Sequence, residues 1–253
     1  MKPFVKGDLD GFFALGLDSL VNLLLMTGFC LGLLGFSPEL YFGRILPASA
    51  VGLVFGNLMY ARQALRQALE DTDGVLRTFS AVLAISRLQA AGEAPNAVVF
   101  DPAGVVGDMT ELYGPLCEDK GLEIGSDIAA GLTVRGNPAF VAQALANLVD
   151  NAVKYTPQGG AVMVRLRRRA CGDTEISVTD TGPGVPHHDR DRVVGRFVRL
   201  ENSRNLPGAG LGLSLVAAVA QAHGGRLELG EGPGVYDGSG PGLRAALILP
   251  AIS

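Results

Sequence analysis

The chain has 253 residues, a formal net charge of -4 at pH 7 and 48% hydrophobic residues. This length has room for one medium domain plus something smaller, and the charge provides no basic field, so nucleic acid is not expected as a partner. The three cysteines, Cys30, Cys117 and Cys171, are isolated in sequence and indicate neither a disulfide framework nor a metal-ligand spacing.

The N-terminal region predicts a membrane anchor. No charged residue occurs from Ser19 to Pro38, a stretch about as long as a helix needs to cross a hydrocarbon core. A second uncharged run, Ile45 to Ala61, is shorter and contains a proline, which makes it a weaker span that is tilted, buried or re-entrant. Lysines before the first run and arginines after the second place both ends in the cytoplasm by the positive-inside rule. We therefore expect residues 1–61 to form one or two transmembrane helices in the cell (inner) membrane, with the C-terminal domain cytoplasmic.

Segments 7–24 and 42–52 resemble the start of a xanthine/uracil-type permease. The resemblance covers about the first quarter of the chain, and in a transporter Asp18 and Asn22 would be candidate polar residues of the transport pathway. One hairpin is too few spans for such a transporter, so the role of an anchor is favoured.

A long helix is predicted from Tyr60 to about Ala91, because leucine and phenylalanine recur there at helical intervals without a proline. Gly92-Glu-Ala-Pro95 ends it. Such an amphipathic helix needs a partner, either a neighbour in a hairpin or a second copy of the chain.

From Asn96 to Ser253 the chain alternates helical and strand patterns, which indicates one α/β domain. Helices are expected at about Val105 to Lys120, Pro138 to Tyr155 and Leu211 to Ala222, and strands at Ala161–Arg167, Glu175–Thr179, Arg226–Leu229 and Leu243–Leu249. The long loop between the second of these strands and the third helix is of the kind that forms a functional lid or is disordered.

The helix predicted at Pro138 to Tyr155 carries a polar face. Its members are spaced four, four and three residues apart: Gln143, Asn147, Asn151 and Lys154. Asn137 is a plausible N-cap, with Pro138 at the first helical position. Carboxamides and an ammonium on one face suit a bound metal and phosphates. Taken alone, this face is more typical of a solvated helix surface.

Two glycine motifs follow. An acidic residue at a strand end, Asp180, precedes Gly182 and Gly184, which suits recognition of an amino-bearing ring, although a tight turn explains the motif equally well. Further on, glycines at the predicted start of a helix would present backbone N–H groups to phosphate: Gly208, Gly210 and Gly212. Their spacing matches neither the dinucleotide-binding fingerprint nor the P-loop.

Taken in order, the polar helix, the Asp-x-Gly-x-Gly turn, the Arg-bearing lid and the Gly-x-Gly-x-Gly helix start resemble the catalytic ATP-binding domain of sensor histidine kinases. The resemblance covers about Ala68 to the C-terminus. It implies an α/β sandwich with helices on one face of a mixed sheet and the nucleotide between the helix layer and the lid. It also implies that residues 62–93 form a dimerisation-type helix from an incomplete hairpin and residues 94–253 the catalytic domain.

The resemblance implies roles in Mg-ATP binding for individual residues. Asn151 would ligate Mg²⁺, Asn147 and Lys154 would contact phosphate oxygens, Tyr155 would border the adenine, and Asp180 would accept from the adenine amino group. The other implied residues are Gly182 and Gly184 at the adenine, Gly208, Gly210, Leu211 and Gly212 at the phosphates, and the lid arginines Arg199 and Arg204, with Arg196 as the weaker lid candidate. Asn151, Lys154, Arg199 and Arg204 would form the catalytic set.

The usual phosphoacceptor is missing from this sequence. Kinases of that family transfer the γ-phosphoryl group to a histidine on the first helix of a dimerisation hairpin, yet no histidine occurs here before His187. His187 and His188 are interpreted as surface residues and His223 as a helix cap. Val194 and Gly195 stand where the family often carries Phe and an acidic residue, a difference that would loosen the lid. Autophosphorylation at the usual place is therefore not expected.

Two functions remain open on this basis. As an enzyme of two-component signal transduction, the chain would phosphorylate a histidine supplied in trans, with a partner sensor kinase or the receiver domain of a response regulator as its partner. As a non-catalytic nucleotide-binding module, it would pair with another sensor kinase through residues 62–93, in a homodimer or a heterodimer. Transport through the N-terminal hairpin is a third possibility, which lacks enough spans.

Overall fold

The computed structural model describes residues 46–200, 208–233 and 240–252. The first predicted membrane span, most of the permease-like sequence and the lid residue Arg204 lie outside these ranges. The second predicted span falls at the beginning of the first described helix. Among the helices in the described residues, none combines the length and the apolar character required to cross a membrane.

The chain divides into two compact units, residues 1–72 and 73–253. Helix α1 (Leu46–Ala91) begins in the first unit and ends in the second. It starts well before Tyr60, where the sequence predicted its beginning. The earlier start is compatible with Pro47 because proline is tolerated in the first turn of a helix, where its missing N–H is not needed.

The second unit continues with short helices and strands in an α/β order. In chain order these are β1 (Val98–Phe100), α2 (Pro102–Lys120), β2 (Glu123–Ile128), β3 (Val134–Gly136), α3 (Pro138–Tyr155), β4 (Ala161–Arg168), β5 (Thr174–Asp180), α4 (Arg190–Val193), α5 (Gly212–Ala222), β6 (Arg226–Glu231) and β7 (Leu243–Leu249). The expected elements α2, α3, α5 and β4 to β7 are confirmed within about three residues of their predicted ends. Strands β1 to β3 were missed because two have three residues each and β2 mixes Gly, Ser and Asp into its sequence.

Five strands form one mixed sheet in the order β2-β4-β5-β7-β6. Strand β2 runs parallel to β4, and the other neighbours are antiparallel. Because side chains alternate along a strand, Ile176 and Val178 of β5 lie in the core with α2, α3 and α5. Glu175 lies on the opposite face of the strand and forms an ion pair of 2.6 Å with Arg244 of β7. The α/β sandwich with a mixed sheet and a helix layer on one face is therefore confirmed.

The last turns of α1 pack on this domain. Ala84, Ile85 and Leu88 are buried in the same core as the sheet and the three helices. The N–H of Ala94, just beyond the helix, donates to the carbonyl of Ala222 at 2.8 Å. Earlier in the helix, Leu76 and Phe79 are 58% and 60% exposed. The end of α1 is thus part of the domain core, while an apolar face precedes it.

Both ends of α3 are fixed by side chains. At its start, Oδ1 of Asn137 accepts from the N–H of Ala139 at 2.9 Å, with Pro138 in the first turn, so the predicted N-cap is confirmed. At its end, Nζ of Lys120 on α2 donates to the carbonyls of Val153, Lys154 and Thr156. A cation at the C-terminus of a helix also interacts favourably with the helix dipole.

Lys120→Met should destabilise the domain by about 1–3 kcal/mol, because it keeps the apolar stem but leaves helix C-terminal carbonyls without their donor. Thermal unfolding followed by circular dichroism would measure this. Arg168→Met, which changes an exposed side chain at the end of β4, is the matched control and should leave the unfolding midpoint almost unchanged. An equal unfolding midpoint for Lys120→Met and the wild type would contradict the stabilising role of Lys120 at the C-terminus of α3.

His223 joins α5 to the start of α3. Its ring is 6% exposed; Nε2 accepts from the N–H of Asn137 at 3.0 Å, and Nδ1 lies 2.7 Å from the carbonyl of Val219, to which it donates in the tautomer this arrangement requires. Burial lowers the pKa of His223, which favours the neutral imidazole that an accepting Nε2 requires. The expectation that His223 caps its helix is confirmed, and the structure adds the bond to Asn137.

Candidate functional site

The polar face of α3 lies beneath the start of α5. Nδ2 of Asn147 donates to the carbonyl of Gln143 at 2.8 Å, which leaves Oδ1 directed away from the helix backbone. A Cβ on Gly212 would lie 3.3 Å from this Oδ1 and 3.3 Å from Nδ2 of Asn151. The first residue of α5 therefore approaches both carboxamides closely.

Lys154 extends the same face toward the glycine-rich segment. A Cβ on Gly208 would be 3.0 Å from its Nζ, and Nζ also donates to the hydroxyl of Tyr155 at 3.1 Å. The ammonium lies 4.7 Å from the centre of the Tyr155 ring, a cation–π contact. The polar helix face and the glycines of residues 208–212, which are more than fifty positions apart in sequence, therefore lie against each other.

Asp180 is the last residue of β5. It lies on the same face of the strand as Ile176 and Val178, so its side chain points to the helix side of the sheet. It is 5% exposed, and its Oδ1 accepts from the N–H of Gly182 at 2.8 Å and from the N–H of Leu243 at 3.3 Å. Burial raises the pKa of the Asp180 carboxyl, and the two N–H donors oppose that rise. The carboxyl is therefore held rigidly at a site where its charge is costly.

Glycines surround the Asp180 turn where backbone segments meet. Gly242, at φ 69°, leaves no room for a side chain because a Cβ would lie 2.2 Å from the carbonyl oxygen of Asp180. Its N–H donates to the carbonyl of Gly182 at 3.0 Å. A Cβ on Gly182 would in turn lie 3.0 Å from the carbonyl of Tyr155, and a Cβ on Gly184 2.4 Å from that of Gly242. The end of α3 and the Asp180 turn are thus in contact.

The described part of the lid touches both the glycine-rich segment and α1. The N–H of Phe197 donates to the carbonyl of Gly210 at 2.9 Å, and Arg196 donates to Oε1 of Gln89 near the end of α1. Arg199 is partly buried. The side chain of Leu211 is 4% exposed, so only its backbone can face a ligand. The second lid arginine, Arg204, lies outside the described residues.

The remaining histidines are apart from the polar face of α3. His187 and His188 are exposed in a short 3₁₀ turn after the Asp180 motif, and Nε2 of His188 is 3.4 Å from Asp189. Both residues are exposed, in line with the expectation of surface residues.

The structure also places residues that were not predicted for the site. Gly242 and Leu243 form the wall behind Asp180, and no local sequence spacing could have identified them because they come from β7 and the segment before it. Asp150 is different, since it follows Asn147 by three residues and therefore belongs to the same helix face. Tyr113 of α2, 9% exposed, donates to Oδ1 of Asp150 at 2.7 Å.

The Lys154 ammonium and the backbone N–H groups at the start of α5 are donors that suit a triphosphate, whereas the amide oxygens of α3 suit a hard divalent cation. The oxygen of Asn147 and the ammonium of Lys154 lie beside the N-terminus of α5, where backbone N–H groups favour anions. Within the described residues, no three His, Cys, Asp or Glu side chains cluster as metal ligands. Mg²⁺ in nucleotide sites takes one or two protein oxygens together with substrate phosphates, so the amide oxygen of Asn151 fits that role.

Comparison with known proteins gives a matching family model and similar sensor kinases. The family model of histidine kinase-, DNA gyrase B- and HSP90-like ATPases matches residues 136–251. The sensor-like histidine kinase SenX3 of Mycobacterium bovis is 32% identical over 213 residues, which are 78% of this chain and 50% of SenX3. The histidine-protein kinase/phosphatase MprB of Mycobacterium leprae is 41% identical over 158 residues, 60% of this chain and 29% of MprB. The chain thus spans half or less of the length of these relatives.

Two solved structures extend the similarity to three dimensions. A mycobacterial sensor histidine kinase MprB structure is 31% identical, with a TM-score of 0.52, and the match covers 61% of this chain and 97% of that one. Full-length ShkA in complex with AMPPNP is 31% identical, with a TM-score of 0.61, and the match covers 73% of this chain and 37% of ShkA.

Proposed function

This chain belongs to the sensor histidine kinases and carries their catalytic ATP-binding domain, and we propose on this basis that it binds Mg-ATP and transfers the γ-phosphoryl group to a histidine of a partner kinase. The observation that carries the proposal is the close approach of Gly212 to Asn147 and Asn151, with Gly208 beside Lys154. The polar face of α3 and the glycine-rich segment, more than fifty residues apart in sequence, meet there, which supports a phosphate-binding role for both.

In this proposal the residues divide into an adenine end and a phosphate end. Asp180 receives the adenine amino group on Oδ2, because the backbone N–H groups of Gly182 and Leu243 already bind Oδ1. Gly182 and Gly184 let the ring approach the backbone, and Tyr155 borders it. The buried carboxylate gives selectivity, since a purine without the amino group would leave it unpaired.

At the phosphate end, the N–H groups at the start of α5, the Lys154 ammonium and the second N–H of the Asn147 amide would position the three phosphates. Bound through Asn151, Mg²⁺ would neutralise phosphate charge. From the lid, Arg199 would reach the γ-phosphate, and Arg204 is proposed for the same role. Phosphoryl transfer needs mainly positioning and charge neutralisation, which is what this set of side chains provides.

The acceptor is proposed to come from a second protein, because the sequence contains no histidine before His187 and His223 is held in the core. A partner sensor kinase would supply it and would pass the phosphoryl group on to the receiver domain of a response regulator. Pairing through residues 62–93 would bring the partner's helix to the site, and the exposed Leu76 and Phe79 suit such a contact. Anchoring by residues 1–61 in the inner membrane stays a prediction.

Incubation of the full chain with radiolabelled ATP, Mg²⁺ and a partner sensor kinase whose own nucleotide site is disabled tests the proposal. We expect label on the partner that is lost in acid, as phosphohistidine is. Replacing the partner's acceptor histidine should remove that label. Label that appears only when the partner's own nucleotide site is intact would contradict the proposal and favour a nucleotide-binding module without transferase activity.

A further inference from the structure

A cleft of about 490 Å³ lies between α1 and the polar face of α3, within the second unit. It is lined by Leu76, Ser80 and Ala81 of α1, Gln143, Asn147 and Asp150 of α3, and Leu215 of α5. Asn147 also lies beside Gly212, at the proposed phosphate end of the nucleotide site. The cleft therefore adjoins the position at which a phosphoryl group would leave the nucleotide.

One wall of the cleft carries an oriented carboxylate. Asp150 comes three residues after Asn147, and its Oδ1 accepts from the hydroxyl of Tyr113 at 2.7 Å. Because Tyr113 is 9% exposed and packs in the core, its bond fixes the direction of the Asp150 side chain. None of the proposed nucleotide-binding roles uses this carboxylate.

The opposite wall carries a hydroxyl. Ser80 is exposed on the turn of α1 that faces the cleft, between the exposed Leu76 and the buried Ala84. Among the residues lining the cleft, Ser80 is the one with a nucleophilic side chain. A nucleophile, a carboxylate held by a third group and a phosphate-binding amide thus surround one space, an arrangement typical of group-transfer sites.

We propose that Ser80 is a second phosphoryl acceptor, modified in cis, with Asp150 accepting its proton. The inference rests on the proposed binding of Mg-ATP. In the step, Oγ of Ser80 forms a bond to the γ-phosphorus, the bond from that phosphorus to the β,γ-bridging oxygen breaks, and ADP leaves with the electron pair. The hydroxyl proton passes to the Asp150 carboxylate. A hydroxyl must lose its proton when it is phosphorylated, so a nearby carboxylate that accepts this proton suits a serine acceptor. Aspartate fills that role in protein kinases that modify hydroxyls.

The test uses the full chain with radiolabelled ATP and Mg²⁺ and no partner, followed by acid treatment and mass spectrometric mapping of the phosphate. We expect acid-stable label on Ser80 that is absent in Ser80→Ala and restored in Ser80→Thr. Ser86→Ala is the matched control, since Ser86 is exposed on the same helix but does not line the cleft, and it should label normally. At saturating Mg-ATP, Asp150→Asn should slow labelling about a hundredfold.

Each other outcome overturns the inference. Acid-stable label that persists in Ser80→Ala would show that Ser80 is not the acceptor. Labelling of Asp150→Asn at the full rate would show that Asp150 does not accept the proton. If the chain binds Mg-ATP and labels a partner's histidine but carries no acid-stable phosphate, the Ser80 site is wrong while the proposed function stands. If fluorescence titration detects no Mg-ATP binding, both fail together.

Discussion

Mg-dependent ATP affinity should fall at least about a hundredfold in Asn151→Ala, equivalent to roughly 2.7 kcal/mol. The reason is that Asn151 is the side chain proposed to give Mg²⁺ an amide oxygen next to the start of α5, and alanine removes that oxygen. The effect on folding should be small, because Asn151 is partly exposed and its removal leaves no large cavity.

Thermal shift with increasing Mg-ATP measures this directly. At a ligand concentration of one hundred times the wild-type Kd, binding stabilises the wild type by about 2.7 kcal/mol, and a hundredfold weaker variant gains only about 0.4 kcal/mol. Gln221→Ala, which removes an exposed amide from α5, is the control and should keep the full shift. A full shift in Asn151→Ala, or an equal loss with and without Mg²⁺, would contradict the metal role.

Asp180→Asn should have the second large effect, a loss of ATP affinity of about tenfold to a hundredfold without loss of fold. Asparagine keeps an oxygen that can accept from the N–H groups of Gly182 and Leu243, so the turn is retained. Its NH₂ would then stand where the second carboxylate oxygen is proposed to receive the adenine amino group, and two donors would face each other. Isothermal titration with ATP and with inosine triphosphate, which has no amino group on its ring, separates the loss of adenine recognition from a general loss of nucleotide affinity.

The same variant makes a prediction about pH. Burial raises the folded pKa of Asp180, so the stability linked to its proton is fully present below the unfolded pKa and is lost as pH rises through the folded pKa. Once ionised, the carboxylate is therefore a cost to the ligand-free protein. Asp180→Asn removes that cost, and its unfolding midpoint relative to the wild type should rise as pH increases through the folded pKa. A midpoint difference that does not change with pH, or ATP affinity equal to that of the wild type, would refute the assignment.

Much of the helix layer could be predicted from the sequence because the signals are local. The four-residue spacing of Gln143, Asn147 and Asn151 defines a helix face whatever surrounds it, and Asn137 followed by proline defines where that helix starts. Asp150 was overlooked although its three-residue spacing from Asn147 carried the same signal. Strands β1 to β3 gave no comparable pattern, since short or edge strands lack a clear alternation of apolar residues.

The sequence by itself therefore determined the order of the motifs, the face of α3 and the family to which the domain belongs. Only the tertiary structure decided that Gly212 lies against Asn147 and Asn151, that Gly242 and Leu243 close the space behind Asp180, and that His223 joins α5 to α3. The physical reason is that hydrogen bonds and helix periodicity act within a few residues, whereas these contacts join segments tens of positions apart. They depend on how the helices pack on the sheet, which no local spacing specifies.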